Sequence, residues 1–368
     1  MGTPLQALSE CGQSPWVDFV SRRFLQGGEL EALIGNGIAG VTSNPTIFQK
    51  AIAEDQDYEI QLRRLAAGQL TPYDAFVEIA REDICMACDA LAETHANRRG
   101  NVRDGWVSLE VDPGLAHDAQ RTFTEARRLY ETVDRSNLMV KIPGTEAGLE
   151  AIEESIAAGI PVNVTLLFAL QRHREAADAY VRGLRRLYEA GGSLDAVASV
   201  ASFFISRVDV EADRRLDEID GPQDLKGTLA IANAKLAYQN YLQVFSGSAW
   251  EELVDAGATP QRCLWASTST KNPGDRDVRY VEALIGPETV TTMPPETVAA
   301  FQDHGQVECT LDVDVEEALG TFAEFAAAGI DYHDVVETLE REGAQKFAGS
   351  FDQLLEAVAS SLRGAVAR

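Results

Sequence analysis

The chain has 368 residues, 45% of them hydrophobic, with 58 acidic against 32 basic side chains and a formal net charge of −26. A field of that sign repels a phosphate backbone and an anionic lipid surface, which argues against nucleic acid and membranes as partners. No apolar run is long and uncharged enough to span a bilayer, and the N-terminal MGTPLQALSECGQSPW lacks the basic start and apolar stretch of a secretory signal, so the expectation is a cytoplasmic protein.

In chain order, PWVDFV and GIAGVT read as the first two strands. A long, mostly helical insert, roughly residues 46 to 104, separates them from a third strand, GWVSLEV. The insert holds Cys85 and Cys88 as a CxxC inside the helical run PYDAFVEIAREDICMACDALAETH. No second CxxC or nearby histidine completes a zinc set, so two small residues on one helix is the favoured reading over metal or redox chemistry. Five cysteines in a chain of this size do not make a disulfide framework.

The clearest unit runs from 138 to 168, LMVKI-PG-TEAGLEAIEESIAA-G-IPVNVTLLF. Pro143-Gly144 breaks the fourth strand, Thr145 is placed to cap a helix, and Leu149, Ile152 and Ile156 share one helical face. Gly159 suits the left-handed helix terminus, and Ile160–Leu166 supplies the fifth strand. ALQRHREAADAYVRGLRRLYEA reads as the next helix, AVASVASFFI as the sixth strand, and RCLWAST as the seventh. DVRYVEALI is then helical, ETVTTM is the eighth strand, and PPETVAAFQDHG is helical again. Residues 320 to 360 read as closing helices.

Strand–helix alternation with near-continuous apolar strands predicts a parallel sheet covered on both faces. About eight units favour an α/β fold of the (β/α)8 TIM-barrel type, with extra helices in the β2–β3 connection and at the C-terminus. The expectation is one domain over residues 1–368. No GxGxxG follows the first strand, which weakens a dinucleotide-binding alternative.

In such a barrel the chemistry sits at the C-terminal ends of the strands. The polar residues at those ends are Asp18, Asn44, Glu110, Lys141, Asn163, Thr165, Ser202, Arg207, Ser267 and Lys271. Lys141 is embedded in an apolar strand, whereas Lys50, Lys226, Lys235 and Lys346 lie in helical, mostly polar contexts where exposure to solvent is expected. Burial disfavours an ammonium, and a neutral amine is the nucleophile that attack on a ketone requires. The plain alternative is a buried stem whose ammonium pairs with Glu110 or Asp18. Those two carboxylates suit the proton transfers of Schiff-base chemistry, or equally a structural pairing. Asn44, Asn163 and Thr165 suit sugar hydroxyls or a positioned water, with Asn44-Pro45 also a common turn start. Arg207 and Lys271, with Ser202 and Ser267, suit a phosphate clamp, or surface salt bridges. The five scattered histidines carry no metal spacing, so no metal catalysis is expected.

Together these segments resemble the transaldolase family, in its longer bacterial branch. GVTSNPTIFQKAI, VSLEVDPGLAHD, NLMVKIPGTEAGLEAI, IPVNVTLLF, SFFISRVD and WASTSTKNP resemble its second- to seventh-strand motifs in order, over most of the chain. The resemblance implies that Lys141 forms the Schiff base, Asp18 is the acid/base at the cleaved bond, and Glu110 works through a water beside Thr165. It also implies that Asn44, Asn163 and Ser202 bind dihydroxyacetone hydroxyls and that Arg207 binds phosphate. Where many relatives carry a seventh-strand arginine, this chain offers Ser267, Ser269 and Lys271, of which Lys271 is the expected second cation. The implied partners are sugar phosphates, with no metal or organic cofactor needed and the enzyme a monomer or homodimer. The nearest rival is a fructose-6-phosphate aldolase-like lyase, whose shorter members carry Gln and Tyr where this chain has Glu110 and Phe204. A non-catalytic sugar-phosphate-binding barrel is the rival from another class.

Overall fold

A computed structural model describes residues 2–54, 56–97 and 103–366. Eight parallel strands close a barrel in the order β1 to β8. They are β1 (Gln13–Asp18), β2 (Gly40–Thr42), β3 (Trp106–Glu110), β4 (Leu138–Pro143), β5 (Val162–Leu167), β6 (Ser199–Phe204), β7 (Arg262–Ala266) and β8 (Thr289–Met293). Each pairs in parallel with its neighbour, and β8 returns to β1. Each of the eight segments read as strands overlaps one, with shifted ends: β1 begins two residues before PWVDFV, β5 ends one residue later than expected, and β4 runs through Pro143, so the break falls after that proline rather than at it. GIAGVT keeps only three strand residues.

The local signals in the 138–168 unit act as expected. The Thr145 side chain accepts a hydrogen bond from the Gly148 amide and caps the helix Glu146–Ala157. Gly159 then takes the left-handed conformation, φ 80°, a turn that a β-carbon would strain. Strand residues in β4, β5 and β6 are buried throughout, as a sheet sandwiched between lumen packing and outer helices requires.

The insert between β2 and β3 is helical, with Pro45–Glu54, Glu59–Ala66, Pro72–Ala90 and Ala92–Ala96; its residues 98–102 lie outside the described set. Cys88 is fully buried on Pro72–Ala90, and the Cys85 thiol donates to the Val133 carbonyl at 3.4 Å. Among the described residues no group of His, Cys, Asp and Glu is arranged to hold a metal ion. A second helical insertion, Leu229–Val244 and Ser248–Asp255, follows β6 and was not anticipated.

The chain closes with Val315–Ala327 and the long helix Tyr332–Val366. The long helix packs against the insert helices Pro45–Glu54, Glu59–Ala66 and Pro72–Ala90. Phe351 meets Tyr73 and Phe76 edge-on, with ring centroids 6.0 and 5.6 Å apart, and Phe76 in turn meets Phe48. The Tyr332 hydroxyl anchors the start of the helix by donating to Asn233 and accepting from the Leu170 amide. Insert and C-terminal helix thus form one clasp over the mouth.

The opposite end is closed by buried polar groups. Arg262 donates to Ser14 Oγ at 2.7 Å and to Asp104 at 2.9 Å, and Ser14 also donates to Asp104. That network ties β1, β7 and the approach to β3 together, where barrels invest in stability rather than chemistry. Among the described residues no helix is long and apolar enough to cross a membrane.

Candidate active site

A cavity of about 610 Å³ opens at the C-terminal ends of the strands. Barrel closure brings Asp18, Asn44, Lys141, Thr165, Ser202, Phe204, Arg207, Ser267 and Lys271 to its wall. Glu110 and Asn163 lie just beneath. The strands dictate this layering: Glu110 pairs with Lys141 and Lys141 with Asn163 at neighbouring register positions of β3, β4 and β5.

The Lys141 amine sits 3.4 Å from Glu110 Oε2 and donates to the Ser43 carbonyl at 3.2 Å. The pairing considered as the plain alternative is therefore present. Both Glu110 oxygens, and Thr165 Oγ1, are nonetheless buried without a well-directed hydrogen bond. Buried polar groups are rarely left so, and when they are a functional role is a common reason. Burial pushes the Glu110 carboxyl above its usual range; the Lys141 charge opposes this and the Asp18 charge adds to it.

Asp18 ends β1 and accepts from Thr42 Oγ1 at 2.8 Å, while Thr42 is in turn 2.7 Å from Thr292 Oγ1. Burial raises its carboxyl too, opposed by the Lys141 charge, the Thr42 hydrogen bond and the Arg207 charge. Two acids flank one amine, and each is biased toward holding a proton.

Asn44 lines the cavity and caps the helix Pro45–Glu54, its side-chain oxygen accepting from the Ile47 amide at 3.1 Å. Its turn role and its place at the site coexist. Asn163 is buried, donating to Ser108 Oγ at 2.9 Å and accepting from Ser202 Oγ at 2.6 Å. It orients Ser202 and is set behind the wall rather than on it. Near the ends of β5 and β7, Leu166 and Ser267 adopt positive φ, 61° and 57°, and the β5–β6 register shifts between Val164 and Leu167. Non-glycine residues in this region are strained, and such strain concentrates where side chains are aimed for function. Ser267 Oγ lies 2.9 Å from Ser206 Oγ.

The rim is cationic. Arg207 lies over the Phe204 ring, 5.1 Å from its centroid, and Lys271 donates to Ser269 Oγ at 2.7 Å. Neither makes a salt bridge among the described residues, so the surface-pairing alternative finds no support. Burial and then the Arg207 charge pull the Lys271 ammonium below its usual range, and Lys346 adds to this while Glu296 opposes it.

Lys50 and Lys346 are exposed as expected, and the structure adds a location that the sequence did not indicate. Both line this mouth, and neither has an ion-pair partner among the described residues. Four of the six lysines of a strongly acidic chain therefore converge on one cavity. Their scarcity was a usable signal; their convergence was not, because Lys346 arrives on the C-terminal helix. Phe347, next to it, was also missed.

A buried amine beside two acids, under a rim of cations without ion-pair partners among the described residues, is an arrangement suited to carbonyl chemistry on anionic substrates. A family model described as Transaldolase/Fructose-6-phosphate aldolase matches residues 15–358. The Transaldolase of Frankia alni is 50% identical over 366 residues, covering 98% of each chain. That of Thermobifida fusca is 47% identical over 98% of this chain and 99% of its own. The Mycobacterium tuberculosis Transaldolase is 45% identical over 96% of this chain and 95% of its own. The chain belongs to the transaldolase/fructose-6-phosphate aldolase family.

Proposed function

We propose that Lys141 carries the chemistry of this enzyme as a Schiff base. The activity is that of a transaldolase: a dihydroxyacetone unit passes from a ketose phosphate to an aldose phosphate, as in sedoheptulose 7-phosphate plus glyceraldehyde 3-phosphate giving erythrose 4-phosphate plus fructose 6-phosphate. The observation that carries the residue assignment is the Lys141–Glu110 contact at 3.4 Å inside a cavity that Asp18 also lines.

Lys141 adds to the substrate ketone, and Glu110, with a water held against Thr165, manages the protons as the carbinolamine loses water to the iminium. The iminium accepts the electron pair of the breaking C–C bond while Asp18 takes the proton of the adjacent hydroxyl. The aldose phosphate leaves, and the enamine stays on Lys141. An incoming aldehyde then reverses these steps. Asn44 and Ser202, the latter oriented by Asn163, suit the dihydroxyacetone hydroxyls. Arg207, Lys271 and Ser267 suit the phosphate, with Phe204 supporting the Arg207 guanidinium.

We read residues 1–368 as one catalytic domain, because the insert and the C-terminal helix reach the mouth of the barrel. The working form in this reading is a cytoplasmic monomer or homodimer. Borohydride trapping with fructose 6-phosphate tests the assignment. A stable adduct on the peptide containing Lys141 is expected, and an active preparation that yields none overturns it. Free dihydroxyacetone appearing as fast as transferred product identifies a lyase instead.

A further inference from the structure

We propose that Phe347 roofs the reaction chamber and determines how the Lys141-bound enamine divides between transfer to an acceptor and loss to water. The inference rests on the Schiff-base reading of Lys141. The Phe347 ring lies 5.8 Å from the Lys141 amine and 5.7 Å from the Arg207 guanidinium carbon, so one apolar group covers both the reacting nitrogen and the phosphate candidate. It lines the cavity yet is only 6% exposed, and it meets Phe204 edge-on with centroids 6.5 Å apart.

Its position is held from outside the barrel. One helical turn further on, Phe351 is wedged against Tyr73 and Phe76 of the insert. The β2–β3 insert and the C-terminal helix, neither of which the minimal barrel needs, thus converge to place this ring.

Loss to water requires a proton delivered to the enamine carbon and then a water added to the resulting iminium. The C–N bond breaks, returning the Lys141 amine and free dihydroxyacetone. Water can supply both proton and hydroxide, but an ordered water needs two or more polar partners. The face of Phe347 offers it none, while the ring's negative face favours the cationic iminium. An acceptor aldehyde is held differently, by its phosphate on the rim cations. The roof therefore keeps further water off the face it covers, beyond the one held against Thr165, while leaving the acceptor its anchor.

The test measures free dihydroxyacetone against transferred product at saturating acceptor, with borohydride trapping on the same samples. Phe347→Ala is expected to raise the release-to-transfer ratio at least about tenfold while still forming the Lys141 adduct. Phe347→Leu, which keeps apolar cover and tolerates packing if the alanine variant does not fold, is expected to stay within about threefold of wild type. Phe347→Gln, of similar reach but polar, is expected to follow alanine. A ratio unchanged in both Phe347→Ala and Phe347→Gln, with the adduct intact, overturns the roof and leaves the Schiff-base reading standing. Absence of an adduct in the wild-type enzyme overturns both.

Discussion

Lys141 and Glu110 occupy paired positions on adjacent strands, and their side chains meet at 3.4 Å without a well-directed hydrogen bond to either carboxylate oxygen. At that separation the pair is held mainly by charge, and both carboxylate oxygens keep capacity for a further hydrogen bond. A second acid, an open cavity and a cationic rim surround the pair, which supports the chemical reading proposed for it over a purely structural one.

Lys141→Ala is expected to abolish transfer and leave no site for borohydride trapping, with the barrel still folded by circular dichroism. The buried Glu110 left behind can take up a proton, since burial already favours its neutral form. Near-normal turnover in this variant would sink the assignment.

Asp18 and Glu110 are expected to fail at different steps. Asp18→Asn lowers transfer by about 10²- to 10⁴-fold, the usual range for losing an acid/base group, yet accumulates the uncleaved ketose adduct. Glu110→Gln instead slows adduct formation itself. Mass spectrometry of the trapped peptide separates them: the full sugar phosphate on Lys141 in the first case, little adduct of any kind in the second.

The rim is expected to act through phosphate. Arg207→Gln raises KM for phosphorylated substrates by about 10- to 100-fold, the span expected from losing a charge-assisted hydrogen bond. Lys271→Gln, Lys50→Gln and Lys346→Gln have smaller effects that shrink further with added salt, as exposed charges are screened. The same variants leave turnover of an unphosphorylated ketose unchanged. An equal loss on both substrates would assign these residues to folding rather than phosphate.

His173 gives the fold a calculable response to acid. Burial against Phe203 and Cys263 pulls its imidazole down to about 4 from the ordinary 6.5. Between those values the unfolded chain binds the proton and the native state does not, so stability falls as pH drops through the window. At pH 5 the loss from this group is about 2 kcal/mol relative to pH 8. Asp83 and Asp209, raised by burial to about 6, work in the opposite direction between their ordinary 3.8 and that value. Urea unfolding of wild type and His173→Phe at both pH values isolates the histidine: the variant is expected to lose less stability on acidification by about that amount. Equal losses would refute the burial argument.

The sequence by itself determined what depends on neighbouring residues. Apolar strands, capped helices and glycine stops recur over short distances, and eight repeats of that rhythm specify a parallel barrel. Once the strands are in place, their C-terminal ends follow, and with them Lys141, Glu110, Asp18 and Arg207. Tertiary structure decided what crosses the mouth. Lys50 and Lys346 read as ordinary exposed helical lysines, and Phe347 gave no signal at all, because no local pattern states which helix will lie over which opening. That choice is made by long-range packing, the docking of Phe351 against Tyr73 and Phe76 across more than half the chain. Lys141 was legible as a candidate because a strand's burial is a local property. Phe347 above it was not, because its place belongs to a contact between distant faces.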